Sequence, residues 1–374
     1  MNGTHNLFNC IVPPYVVEEI LKKGSTAQKE WAKKNINFSG QLRGQRQSLA
    51  DITSKPKAAI GGKSRRTYDA KNGSNLPGTL VRSEGQAATG DNAVDEAHDG
   101  AGATYDLYHD LFGRNSIDDS GMELISCVHY LTGYDNAFWD GAKMVYGDGD
   151  EDLPQSERLF NRFTASIDVI GHELTHGVTQ YEANLVYRNQ PGALNESFSD
   201  VFGSLVKQHV KNQNVNTASW IIGEGLFTSN VNGVGIRSMK SPGTAYNDPV
   251  LGKDPQPAHM NNYVETTSDN GGVHINSGIP NKAFYETAMA IGGYAWEKAG
   301  KIWYITLRDK LNQTSDFLTA ANLTYETAGE LYGANSVEQN AVKKGWEVVG
   351  ISLNLDKKNG CGKGIKSIFM GFNF

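Results

Sequence analysis

Apolar residues recur at helical spacing in several stretches of the chain, and short apolar runs among Gly, Asp and Tyr fill much of the rest. Tyr15 to Lys34 carries Val16, Ile20, Leu21 and Trp31 among Glu and Lys, which predicts helix. Pro13-Pro14 precedes it, where proline is tolerated, and Gly24-Ser25 offers a break into two short helices. Gly40 to Arg66 is rich in Gly, Ser, Lys and Arg with few apolar anchors. That composition predicts an exposed, protease-sensitive connector, the alternative being an ordinary linker between permanent domains. Residues 67 to about 160 suggest strands and loops around one helix, Ala93 to Leu111. From about 164 the pattern becomes helical: Thr164 to Gln180, Leu194 to Lys211, Asn281 to Ile291, Ala295 to Lys310, Phe317 to Tyr332 and Ser336 to Val348. The tail from Ser352 has no clear helical period and reads as an appendage.

Composition narrows the function classes. With 39% hydrophobic residues over 374 positions, two or three domains or subdomains with real cores are expected. A net charge of -6 argues against nucleic acid as a partner, which would need a basic stripe. No apolar run is long enough to span a bilayer. Met1 to Cys10 lacks a basic stretch followed by an apolar run. The expectation is therefore a protein that stays in the cytoplasm or is secreted by a route without a standard signal peptide. Cys10, Cys127 and Cys361 are too dispersed for a disulfide framework and read as free thiols, with a metal cap by Cys10 the less favoured alternative. Gly147 to Asp152 is an acidic loop whose spacing does not match an EF-hand, so it reads as a solvated turn.

The chemistry is concentrated in His172-Glu173-Leu174-Thr175-His176. Two histidines four apart project from one face of a helix and can chelate one zinc ion. Glu173 is aimed beside the metal, where it can take a proton from a bound water. A surface helix with two histidines is the plainer alternative. Hydrolytic zinc needs a third protein ligand and one open position. Glu196, 20 residues beyond His176 in a second helical stretch, can supply that ligand. Asn195 and Asp200 are spaced to accept hydrogen bonds from the other ring nitrogens of the two histidines. Thr179 and Glu182 stand where a metzincin needs Gly and His. Tyr187 and His274, the latter with Asp269 nearby, are candidate donors to a developing oxyanion, though a lone Tyr or His is more often structural.

These residues resemble the thermolysin-like zinc metallopeptidases. The resemblance runs from about Thr67 to Ile351, through Asn136-Ala137-Phe138-Trp139, Met144 to Asp150, His172 to His176, Gly192 to Asp200, Arg237-Ser238-Met239 and Asp269 to Gly278. Pro13-Pro14-Tyr15 in a short leading segment resembles the protealysin-type subgroup, which has a short propeptide. The resemblance implies that His172, His176 and Glu196 bind zinc and that Glu173 is the general base. It implies that Tyr187 and His274 stabilise the oxyanion, with Asp269 orienting His274. Asn136, the Ala137 backbone and Arg237 would grip the substrate main chain. Phe160, Phe163, Val169, Ile222 and Ile236 would line the pocket for the side chain after the scissile bond. One departure concerns calcium. Lys207 replaces a carboxylate of the family's double site, Ser219 and Ile221 replace two more of its positions, and only Asp168 and Glu224 remain. The positions around Arg82 to Glu84 and at Val234 also lack carboxylates, so calcium dependence is not expected.

The expected fold is α+β, a thermolysin-like two-lobed metalloprotease with the zinc cleft between a strand-rich N-terminal lobe and a mainly helical C-terminal lobe. Expected boundaries are a propeptide over 1–50, a connector over 51–66, lobes over 67–180 and 181–351, and a tail over 352–374. The expected function is a neutral endopeptidase, a monomer acting on protein or peptide substrates with its own propeptide as inhibitor. It would cut on the amino side of large hydrophobic residues. A zinc-binding homologue without activity would be damaged at Glu173, Tyr187 or His274, and all three are intact. A zinc exopeptidase would carry a charged anchor for a substrate terminus, and none lies near these motifs.

Overall fold

The structure is a computed structural model that describes residues 9–36 and 62–354. Its N-terminal lobe is built on a six-stranded sheet in the order β1-β5-β6-β4-β2-β3. The strands are β1 (Asn9–Cys10), β2 (Arg65–Asp69), β3 (Thr79–Ser83), β4 (Leu124–Val128), β5 (Ala137–Trp139) and β6 (Met144–Tyr146). β2, β4 and β6 run parallel, while β3 and β5 join antiparallel. Arg65 already pairs with Leu124, so the sheet begins just inside the expected connector. Residues 37–61, the end of the expected propeptide and most of the connector, lie outside the described residues, as does the tail from 355 with Cys361.

Helix α3 (Asn92–Phe112) covers the sheet. It starts where Asp91 accepts hydrogen bonds from the Ala93 and Val94 N–H groups, and it ends at Gly113, whose φ of 69° is left-handed. The acidic loop departs from the expected solvated turn. Asp150 is buried, and its carboxylate accepts the N–H groups of Leu159 (2.7 Å) and Phe160 (2.9 Å). Burial still raises its pKa to about 6, but the two backbone donors offset part of that cost and tie the loop to the chain that leads into the zinc-motif helix.

The C-terminal half is helical: α4 (Ile167–Tyr181), α5 (Asn189–Val210), α6 (Asp269–Asn276), α7 (Gly278–Ile291), α8 (Lys298–Asp309), α9 (Phe317–Tyr332) and α10 (Val337–Val348). α5 begins five residues before the expected Leu194, because Pro191 falls in its first turn, where no intrahelical N–H is needed. α6 was not expected. Its Asn270, Gly271 and Gly272 have positive φ, which breaks the apolar period a helix would display.

α4 and α5 lie against each other along much of their length, and Gly203 makes the approach possible. A Cβ there would stand 2.4 Å from the Asp168 carbonyl oxygen and 2.9 Å from the His172 nitrogen, a collision with backbone. This crossing carries Glu196 and Asp200 to the two histidines of α4.

Ahead of the sheet, α1 (Pro14–Lys23) and a second helix, α2, over residues 26–36 form a compact unit on the catalytic part. Val16 and Ile20 of α1 and Ala32 of α2 are buried in the main core. Gln28 donates to the Glu157 carbonyl (2.8 Å), Asn35 accepts from the Asp135 N–H (3.1 Å), and the Trp31 ring lies against Gly133.

Candidate active site

His172 and His176 stand on α4 with their Nε2 atoms 3.0 Å apart, both rings buried. Glu196 of α5 brings one carboxylate oxygen to 3.5 Å from His172 Nε2 and the other to 3.4 Å from His176 Nε2. Each histidine is oriented through its other nitrogen. His172 Nδ1 lies 2.8 Å from an Asp200 oxygen, and His176 Nδ1 lies 2.8 Å from the Asn195 side-chain oxygen. These partners accept hydrogen bonds, so both Nδ1 atoms carry the proton and both Nε2 atoms present lone pairs. Burial holds His176 down to about 3, so it stays neutral. Two facing lone pairs and a buried carboxylate with one oxygen lacking a hydrogen-bond partner fit a divalent cation. Two imidazoles and one carboxylate are the donor set of a catalytic zinc. Among the described residues, His172, His176 and Glu196 form the one such cluster.

Glu173 is buried beside this cluster. One of its oxygens accepts the Trp139 N–H at 3.1 Å, and the other has no hydrogen-bond partner. Burial, and after it the charge on Glu196, pushes its carboxyl well above the ordinary range. Burial alone would raise the Glu196 pKa, but the surrounding positive charge, the His274 cation first, holds it low. One carboxylate is therefore kept charged while its neighbour has high proton affinity.

On the opposite wall, the Tyr187 hydroxyl bonds to Glu196 and lies 3.0 Å from His274 Nε2. Asp269 holds His274 twice, accepting from its backbone N–H (2.9 Å) and lying 2.6 Å from Nδ1. Burial alone would lower the His274 pKa, but Asp269 and then Glu196 raise it to about 9. At neutral pH this imidazole is a cation with a donor at Nε2. The left-handed Asn270-Gly271-Gly272 stretch places it there. Gly271 has φ 84°, and a Cβ on it would sit 2.0 Å from the Asn189 side-chain oxygen at the start of α5.

Arg237 links the metal cluster to the cleft. Its guanidinium donates twice to Asp200, both at 2.8 Å, and once to the Ile11 carbonyl at 3.2 Å. Asn136, at the head of β5, accepts the Val12 N–H (3.1 Å), and the Ala137 carbonyl accepts the Ile11 N–H (3.4 Å). Residues 9–12 thus run antiparallel beside β5, with β1 as the edge of the sheet. The five apolar residues expected to line a pocket are all buried in the same core as Ile11. Phe160 and Phe163 lead into α4, Val169 lies one turn before His172, and Ile222 and Ile236 belong to the short hairpin around Arg237. Sequence reasoning missed Ser199, whose hydroxyl is 3.0 Å from His176 Nδ1, and Asn281, which donates to Asp200 at 2.8 Å. Ser199 lies one turn after Asn195 on α5, a spacing that could have flagged it. Asn281 carries no comparable signal.

Residues 24–180 match the thermolysin metallopeptidase catalytic domain, and residues 183–351 match the thermolysin metallopeptidase alpha-helical domain. The chain belongs to the thermolysin metallopeptidase family. It is 47% identical over 371 residues to "Protease PrtS" of Photorhabdus sp. (strain Az29), covering 96% of each chain. It is also 47% identical over 347 residues to an "Extracellular metalloprotease" of Pectobacterium carotovorum subsp. carotovorum, covering 92% of this chain and 97% of the other. The solved precursor of protealysin, a metalloproteinase from Serratia proteamaculans, is similar with a TM-score of 0.83 and 49% identity over 92% of this chain and 100% of that one. This thermolysin-like enzyme is therefore a metalloprotease of the protealysin type, with the α+β fold expected.

Proposed function

We propose that the enzyme is a zinc endopeptidase that cuts on the amino side of large hydrophobic residues and is made with residues 1–50 as an inhibitory propeptide. The observation that carries this reading is the polar frame around residues 10–12, which ends at the buried cluster of His172, His176, Glu196 and Glu173. Zinc held by the three ligands supplies Lewis acidity and a water of lowered pKa. Glu173 takes the proton of the attacking water on its unpartnered oxygen and returns it to the departing nitrogen. His274 and Tyr187 donate to the carbonyl oxygen as its charge grows. Asn136, Ala137 and Arg237 hold the main chain after the scissile bond, and Asp269 keeps His274 charged and aimed. Residues 51–66 serve as the processing region. Residues 67–180 and 181–351 form the lobes, with 352–374 as a tail, and the working unit is a monomer.

Specificity should follow the apolar wall formed by Phe160, Phe163, Val169, Ile222 and Ile236. Burying a Leu, Ile, Val or Phe side chain is worth ~1.5–3 kcal/mol, which outweighs most differences among exposed peptides. Digestion of a peptide library should give new N-termini at these four residues, and a preference for charged residues there would refute the pocket assignment.

The prosegment should suppress activity while it is attached. Replacing the large apolar connector residues Ile52 and Ile60 by Gly should block processing. The intact chain should then be at least ~100-fold less active on peptides than the processed enzyme, as a tethered occupant at millimolar effective concentration would give. An unprocessed chain with full activity would refute inhibition. The relative named extracellular supports secretion. No described helix is long and apolar enough to cross a membrane.

A further inference from the structure

We propose that the prosegment lies in the cleft as a substrate would, with the Cys10–Ile11 peptide bond at the cleavage position, and that cutting it leaves a tethered product that still blocks the site. The proposal rests on the peptidase reading above and names the first substrate of that site.

The contacts bracket one bond. The Cys10 carbonyl oxygen lies 3.1 Å from His274 Nε2, the donor assigned to the developing oxyanion. On the other side of the bond, the Ile11 N–H meets the Ala137 carbonyl at 3.4 Å, two residues along β5 from Trp139, whose N–H binds Glu173. Further along, Arg237 donates to the Ile11 carbonyl (3.2 Å), and Asn136 both accepts from the Val12 N–H (3.1 Å) and donates to the Val12 carbonyl (3.4 Å). Asn9 and Cys10 continue the ladder antiparallel to β5, opposite Trp139 and Phe138. Carbonyl oxygen to the oxyanion donor and the main chain after the bond to the grips is the arrangement that hydrolysis requires. Ile11 is fully buried and apolar, the side chain that the specificity reading asks for after the scissile bond.

Hydrolysis adds water across the bond. Hydroxide joins the Cys10 carbonyl carbon, the C–N bond breaks, and the proton passes through Glu173 to the Ile11 nitrogen. The products are a Cys10 carboxylate and an Ile11 amine. Their fates differ. Among the described residues, the departing side is held at Asn9 and Cys10, on the edge of the sheet. The remaining side continues into Pro13, which is buried, and then into α1 and α2, anchored through Gln28, Trp31 and Asn35. Residues 11–12 therefore stay at high local concentration, and inhibition outlasts the cut. Release then requires cleavage elsewhere, in the connector.

The test uses the zinc-loaded full chain, followed by intact mass and N-terminal sequencing at several protein concentrations. The expected result is loss of residues 1–10 at a rate independent of concentration, giving a chain that begins at Ile11 before activity on added peptides rises. Glu173→Ala should retain residues 1–10. Ile11→Asp should slow this cut at least tenfold, while Ile11→Leu preserves it. In the metal-free wild-type chain, amide exchange should be slow at Ile11 and Val12, whose N–H groups are engaged. A chain that is processed in the connector and cleaves added peptides, yet keeps the Cys10–Ile11 bond intact, overturns the proposal and leaves the peptidase reading standing. Free exchange of both amides also overturns it. A zinc-loaded protein that cuts no peptide anywhere overturns both.

Discussion

Glu173→Ala is expected to keep about one zinc per chain and to lose peptidase turnover by ~10²–10⁴-fold, the contribution typical of a positioned general base. The separation follows from geometry. His172, His176 and Glu196 converge on one point, and the partners that orient the two histidines, Asp200, Asn195 and Ser199, do not touch Glu173. Glu173 is engaged instead by the Trp139 N–H, with its other oxygen free to take a proton. Removing the side chain deletes the proton carrier without removing a ligand. Metal analysis beside a peptide assay checks this, and a variant keeping a tenth or more of wild-type turnover would refute the assignment. If processing is autocatalytic, the same variant should accumulate as precursor.

The second large effect concerns calcium. Lys207 is almost completely buried, its ammonium 2.7 Å from Asp168, 3.5 Å from Glu224 and bonded to the Ile221 carbonyl. Asp168 is buried too, and Glu224 is half-exposed, so the Asp168 pair dominates the energetics. The carboxylates that would attract calcium are thus already matched by a fixed cation within the chain. Arg82 has a similar effect at the second position, where its guanidinium lies 3.2 Å from Asp95 and 3.0 Å from Asp99. We propose that the enzyme needs no calcium at either place. Lys207→Ala should destabilise by ~3–5 kcal/mol, because it leaves the Asp168 charge buried and unpaired. A chelator selective for calcium over zinc should leave the wild-type melting temperature unchanged. A large fall reversed by added calcium would contradict this account.

The local part of the site was legible in the sequence, because a spacing of four on a helix is enough to put His172 and His176 on one face. The partners were legible only as types. Glu196 and Asp200 reach the histidines because α4 and α5 cross closely at Gly203, and no spacing rule contains that contact. Helix α6 was hidden by the left-handed residues that let it place His274. The acidic loop was misread because its charge suggests solvent, whereas Asp150 is satisfied by two buried N–H groups. The two-residue strand β1 has no signal of its own. Its order comes from β5, far away in the sequence, so the contact between the prosegment and the cleft had to be seen in three dimensions.

The most direct test of the central claim is a zinc titration of the metal-stripped enzyme, with hydrolysis of an internally quenched peptide read at each step. The account predicts that activity is absent without zinc and rises to a plateau at about one equivalent per chain, with no rise for His176→Ala. Full hydrolysis in the zinc-free protein, or a plateau that His176→Ala reaches equally, would contradict it.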